Sequence, residues 1–247
     1  DWHHPDFTID VNHPRRDDPD AKEQNEGRDM HRYAEYMRNQ IRELLTNYGK
    51  IDILWLDFSY SQRHGEGDKA WLGGKGKDDW ESEELIKLAR SIQPEIIIDN
   101  RAELEQDLWT PEQFQPTDWF RHPKTGELVT WEACQTLSGS WGYYRDEFTW
   151  KSPEMLIRML INTVSNGGNL IMNVGPTARG YLDYRAEEAL KVYADWMKYN
   201  SRSIYGCTKA EPEFKTPADC RLTQSEDGKR LYIHLFAYPI DNMKVQG

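Results

Sequence analysis

The sequence predicts an α/β chain: part of a TIM-like (β/α)8-type barrel lacking its N-terminal half, followed by the beginning of an antiparallel β-sandwich domain. Three observations lead there. Segments with helical spacing of apolar residues alternate with short β-branched runs, the pattern of βα units and a parallel sheet. About four such runs precede residue 180, whereas a closed barrel needs eight. Beyond residue 207 the chain changes to turn-separated strand patterns without helices. The expected division is residues 1–207 for the barrel portion and 208–247 for the start of the second domain.

The run Ile51–Asp57 reads as a strand buried on both faces, because residues 51, 53, 54, 55 and 56 are all large and apolar. It ends in Asp57, where the chain turns into the polar loop 59–68. An acid at the carboxyl end of a barrel strand is a functional candidate; a loop-capping role is the alternative, and the local residues do not choose between them. Before this strand, residues 1–27 are polar and read as an extended loop. Residues 28–48 carry apolar side chains at 30, 33, 34, 37, 41, 44, 45 and 48, which predicts an amphipathic helix stopped by Gly49.

After a loop with five glycines between 65 and 76 comes a helix over 80–93, ended by Pro94, and a short strand over 95–99. The stretch 100–124 is too long for a mere connector. A third strand is expected over 128–134. A helix over 154–164 follows, with Pro153 at its start, and Gly167-Gly168 end it. The run 169–174 is another buried strand and 183–199 a last amphipathic helix. Strands are then predicted over 210–214, 220–224 and 229–238, with Ser225-Glu226-Asp227-Gly228 as a hairpin turn.

Composition narrows the function. The formal net charge is −11, which argues against a nucleic-acid partner, since that needs a basic footprint. Ten Trp and thirteen Tyr suit stacking on the apolar C–H faces of sugar rings, although Trp is also ordinary core material. Cys134, Cys207 and Cys220 are too scattered for a disulfide framework or a zinc site, and whether Cys207 pairs with Cys220 stays open. No apolar stretch approaches a membrane span, so no membrane partner is expected. The chain opens on Asp1 rather than Met, so the missing leader leaves its compartment open; a soluble bacterial periplasmic or secreted protein is the expectation.

Retaining glycosidases need two carboxyl groups roughly 5–5.5 Å apart, one as nucleophile and one as acid/base. Asp57 is one candidate. The long loop offers Glu103, Glu105, Asp107 and Glu112 as the other. At Glu112, Trp109 and Phe114 could desolvate the acid and raise its pKa, as a general acid requires. The local residues favour a plainer reading, in which Thr110 caps a short surface helix with Pro111 at its first position. His3 and His4 are read either as sugar-facing or as packing side chains, and the acidic run 81–84 as a solvated helix face.

Five motifs in order carry a resemblance. Ile53-Leu54-Trp55-Leu56-Asp57, Asp99-Asn100-Arg101, Thr110-Pro111-Glu112, Trp131-Glu132 with Ser140-Trp141-Gly142-Tyr143, and Gly168 through Pro176 resemble the glycoside hydrolase family 29 α-L-fucosidases. The segment from Trp196 to Ile204-Tyr205-Gly206 is similar to the end of their catalytic domain. The resemblance implies a retaining exo-α-L-fucosidase acting on fucosylated oligosaccharides or glycoconjugates, without a cofactor or metal. It implies Asp57 as nucleophile, Glu112 as acid/base, and Trp55, Arg101 and Trp141 as substrate-binding residues. Trp141 would face the C6 methyl of fucose, and Glu132 would have a structural role. It also implies a companion chain or segment that completes the barrel. The rivals are a related retaining glycosidase for another sugar and a non-catalytic carbohydrate-binding remnant.

Overall fold

Helix α1 (Met30–Asn47) begins where Asp29 caps it, its side chain accepting the His31 N–H at 3.0 Å. Gly49, at φ 82°, follows its end. The structure, a computed structural model, describes residues 2–238 and Met243; the end of the predicted 208–247 segment lies outside the described residues. The chain divides into two compact units, residues 1–109 and 110–247.

In the first unit, β1 (Ile53–Leu54) and β2 (Ile97–Ile98) pair in parallel, Ile53 opposite Ile97 and Leu54 opposite Ile98. Between them runs α2 (Ser82–Ile92), which packs with α1. Leu54, Ile96 and Ile98 form a core with Leu45, Ile86 and Ala89 of the helices. The predicted seven-residue strand buried on both faces is corrected here. Only two residues enter the ladder, and alternation turns Ile53 and Ile97 away from the helices, leaving them 44% and 40% exposed. Gln93 joins the end of α1 to the start of β1: its amide donates to the Leu45 and Gly49 carbonyls and accepts from Ile51 N–H.

The acidic run before α2 is not wholly a solvated face. Glu81 adopts a left-handed conformation (φ 49°) and its carboxylate pairs with His31 and Arg38 of α1. The segment expected as an extended loop, 1–27, is a series of turns in its described part, packing Ile9 and Ala21 on Leu72 of the glycine-bearing loop. Lys75 and Asp10 make a buried ion pair at 2.8 Å, and Lys75 Nζ also donates to Thr8 O and lies over the Phe7 ring. Burial lowers the Lys75 pKa.

In the second unit, β3 (Glu132–Thr136) and β4 (Asn169–Asn173) pair in parallel, Glu132 opposite Asn169 through Thr136 opposite Asn173. The strand predicted over 128–134 therefore starts four residues later. Residues 120–129 form a small hairpin instead, and Trp131, fully buried, packs so tightly on Gly168 that a Cβ there would strike its ring. Between the strands lies α3 (Pro153–Ser165), capped by Ser152 with Pro153 in its first turn. After β4 comes α4 (Tyr184–Asn200), capped by Asp183. The helices bury Leu156, Ala186 and Ala189 against Leu137, Met172 and Val174.

An antiparallel sheet follows: β5 (Cys207–Lys209), β6 (Cys220–Ser225) and β7 (Leu231–Leu235), with β6 central. The strand expected over 210–214 is displaced to 207–209, because Glu211–Phe214 closes a turn. The β6–β7 turn forms as predicted, with Gly228 at φ 69°. The sheet packs on α3 through Ile161, Val164 and Phe236, and Arg221 donates to Asn162 Oδ1 at 2.6 Å. All three cysteines are free, so Cys207 and Cys220 do not pair.

Candidate active site

The ladder of β1 and β2 ends at Leu54 and Ile98, and the chain carries three candidate residues just past it. Alternation along the two strands assigns residues 53, 55 and 57 to one face, together with 97, 99 and 101. The contacts follow that pattern. Arg101 Nη1 donates to Asp57 Oδ1 at 2.8 Å, and the guanidinium stacks 4.3 Å from the centroid of the Trp55 ring. Trp55, Asp57 and Arg101 are thus brought together. Asp57 Oδ1 also accepts the Phe58 N–H at 2.8 Å. Both bonds land on the same oxygen.

Phe58, the next residue, sits at φ 80°, a conformation bulky side chains rarely adopt. Its ring makes edge contacts with Trp2 and Tyr60 at centroid distances of 5.4 and 5.5 Å. Asp57, Phe58 and Arg101 line a cavity of about 440 Å3, walled by Trp2, His3, Phe7, Tyr33 and Trp80 among others. His4 does not line it; its ring lies 4.5 Å from that of Tyr36, a packing role.

Beneath the pair lies Asp99, fully buried. Its carboxylate accepts the backbone N–H of Arg101 at 3.2 Å, while Oδ2 has no partner among the described residues. Burial pushes its pKa up to about 6, against the lowering effect of the nearby Arg101 and Leu56 N–H groups and of the Arg101 charge. In the sequence Asp99 stands out only as part of a motif. The signal that could have found it is its position two residues after Ile97, on the same face.

Among the other acids of the long loop, Glu103 accepts from Ser61 N–H and Lys77 N–H, tying down the glycine-bearing loop. Asp107 accepts from Ile98 N–H and Arg90. These are structural anchors.

In the second unit, Glu112 is exposed on a one-residue parallel bridge to Cys134 of β3, flanked by Cys134 N–H donating to Pro111 O and Gln113 N–H to Cys134 O. The short surface helix that the local residues favour does not form, since this pairing holds the backbone extended. The apolar cover expected from Phe114 is absent as well: that ring is exposed, like Glu112 itself. Glu132 is half-buried and pairs in register with Asn169.

Trp141 is 41% exposed on the loop after β3. Asn173, at the end of β4, donates to the Trp141 carbonyl at 2.6 Å, and Gly175 approaches so closely that a Cβ would lie 2.5 Å from the Tyr143 nitrogen. Glu147 closes the loop by accepting from Ser140 Oγ, Thr149 Oγ1 and Thr149 N–H. Those bonds, the Ser140 hydroxyl first, hold its pKa down at about 2. Sequence reasoning missed Asn173 and Glu147 as loop anchors. Among the described residues no cluster of three His, Cys, Asp or Glu side chains could hold a metal.

A family model described as alpha-L-fucosidase matches residues 1–202. The chain belongs to the alpha-L-fucosidase family. Its fold is similar to a solved structure of alpha-L-fucosidase isoenzyme 1 from Paenibacillus thiaminolyticus, with a TM-score of 0.82 and 37% identity, covering 97% of this chain and 55% of that one. It is 31% identical to the plasma alpha-L-fucosidase of Pongo abelii over 173 residues, 67% of this chain and 34% of that protein. To the human plasma alpha-L-fucosidase it is 42% identical over 114 residues, 44% of this chain and 24% of that protein. This fucosidase-family chain thus spans from about a quarter to just over half the length of those relatives. The family is one of glycoside hydrolases, and its solved members share the likeness across both compact units.

Proposed function

We propose that the chain is the part of a retaining exo-α-L-fucosidase that carries its two catalytic carboxyl groups. The observation that carries this reading is the Asp57–Arg101–Trp55 cluster at the carboxyl ends of two parallel strands, beside a cavity, in a fucosidase-family chain. Asp57 is the nucleophile. With Oδ1 held by Arg101 and Phe58 N–H, Oδ2 is the oxygen that bonds to the anomeric carbon while the glycosidic C–O bond breaks. Glu112 gives its proton to the departing oxygen. In the second step Glu112 takes a proton from water, whose oxygen bonds to the anomeric carbon as the Asp57 ester bond breaks. Arg101 and Trp55 hold the sugar beside the nucleophile, and Trp141 supplies an apolar wall.

The substrate is a terminal α-L-fucoside of an oligosaccharide or glycoconjugate. Residues 1–207 are a portion of the catalytic β/α barrel, and 208–247 begin a β-sandwich. The open Ile53 and Ile97 side chains support a barrel interior that further strands, from a companion segment or chain, cover. In the full-length protein carrying this sequence, Asp57→Gly is expected to abolish cleavage of 4-nitrophenyl α-L-fucoside. Azide should restore it, forming the fucosyl azide in place of the ester. Glu112→Ala should slow natural linkages about 100-fold or more, and activated aryl fucosides far less. Full activity of Glu112→Ala on natural linkages would overturn its assignment.

A further inference from the structure

We infer that Asp99 is a positioning residue for the reaction: its buried carboxylate fixes the Arg101 backbone, from which the guanidinium reaches Asp57. The inference rests on the reading of Asp57 as nucleophile. Pairing between β1 and β2 does not reach the segments that carry Asp57 and Arg101. The ladder closes with Asp99 N–H on Leu54 O, at a long 3.4 Å, and residues 55–57 and 99–101 lie beyond it. Past that point side chains hold the two segments together. The Asp99 carboxylate accepts the N–H of Arg101 at 3.2 Å, with the N–H of Leu56, one residue before Asp57, close enough to act on its charge. Arg101 in turn reaches Asp57 and lies over Trp55. Removing the Asp99 carboxyl therefore frees the Arg101 end of the Arg101–Asp57 bond.

Its chemistry supports a role beyond packing. The side chain is fully buried, and one carboxyl oxygen has no partner among the described residues. A buried carboxyl half left without hydrogen bonds is an unfavourable choice for a core position that needed only to be filled. Such a group persists where the geometry it enforces is worth its cost. The neighbouring acids differ: Asp107 and Glu103 are each tied to partners through the oxygens they use and serve loops, not the cluster.

The test measures kcat and KM for 4-nitrophenyl α-L-fucoside in the full-length protein, with thermal melting as the check on folding. Asp99→Ala is expected to lower kcat about 100-fold while KM changes about threefold or less. Asp99→Asn, whose amide oxygen still accepts the Arg101 N–H, should recover about tenfold of that loss. The same Ala substitution in the Asp57→Gly protein, assayed with azide, should cost about tenfold less than in the parent, because no carboxylate remains to be positioned. An equal cost in both backgrounds would overturn the inference, as would Asn no better than Ala at an unchanged melting temperature. Failure of azide to rescue Asp57→Gly alone would instead remove the nucleophile assignment, whatever the Asp99 variants do.

Discussion

Phe58 is a residue whose backbone contradicts its side chain. At φ 80° the Cβ crowds its own backbone, at a cost of about 1–3 kcal/mol. It is kept there by the Trp2 and Tyr60 rings on one side and by its N–H on Asp57 Oδ1 on the other. Replacing the ring by glycine or by alanine removes the same aromatic contacts. The two variants then differ in strain alone, and Phe58→Gly should be the more stable by about 1 kcal/mol in denaturant melts. That reverses the usual order in which alanine stabilises a chain more than glycine. A more stable Phe58→Ala would mean that the conformation relaxes once the ring is gone. None of this strain was legible in the sequence, because tertiary contacts, not local propensity, impose the angle. Asp57 itself was legible, since a polar residue ending an apolar run stands out. Its partner Asp99 was not, because nothing in a single line of residues says that a carboxyl is buried.

At the scale of elements, the helices were read to within about two residues at each end. Amphipathic spacing runs the length of each, and Asp29, Ser152 and Asp183 cap three of them. Strands fared worse. A short apolar run has no cap, so the register of β3 is fixed by what packs beside it: Trp131 seated on Gly168. The two glycines flanking β4 give a comparison. Gly168→Ala would press on a fully buried indole that has nowhere to go, and should cost about 1–3 kcal/mol. Gly175→Ala presses on the Gly142-Tyr143 backbone of a surface loop, which can shift. Its cost in urea midpoints should be the smaller of the two. The opposite order would mean that the Trp141 loop is stiffer than the core beneath it.

For the whole molecule, acidity acts on the two units in opposite senses. Asp99 has a folded pKa of about 6, above its ordinary 3.8, so the folded first unit binds the extra proton. Its contribution is fully present below pH 3.8 and is lost as pH rises through 6. His234 in the second unit is buried and held down at about 4 from 6.5. Thr223 donates its hydroxyl to Ser203 O, so His234 meets it with a protonated Nε2, and burial keeps the ring neutral. That contribution is present above 6.5 and is lost as pH falls through 4. Each is on the order of 3 kcal/mol. Hydrogen exchange at pH 4.5 against 6.5, corrected for intrinsic rates, should show β1–β2 relatively better protected in acid and β6–β7 worse. Asp99→Asn and His234→Gln should each erase their own trend, and its survival in either variant would sink the assignment. The sequence indicated a change of character near residue 207, and β5 does begin there. The division at 109–110 was hidden, because it falls inside a loop that carries no mark of it. The Glu147 knot in the Trp141 loop then has a consequence for how the second unit comes apart. A carboxylate that resists its proton down to about pH 2 is a fastening that vinegar does not undo. As acidity rises, the sheet around His234 should slacken while the Trp141 loop still keeps its shape.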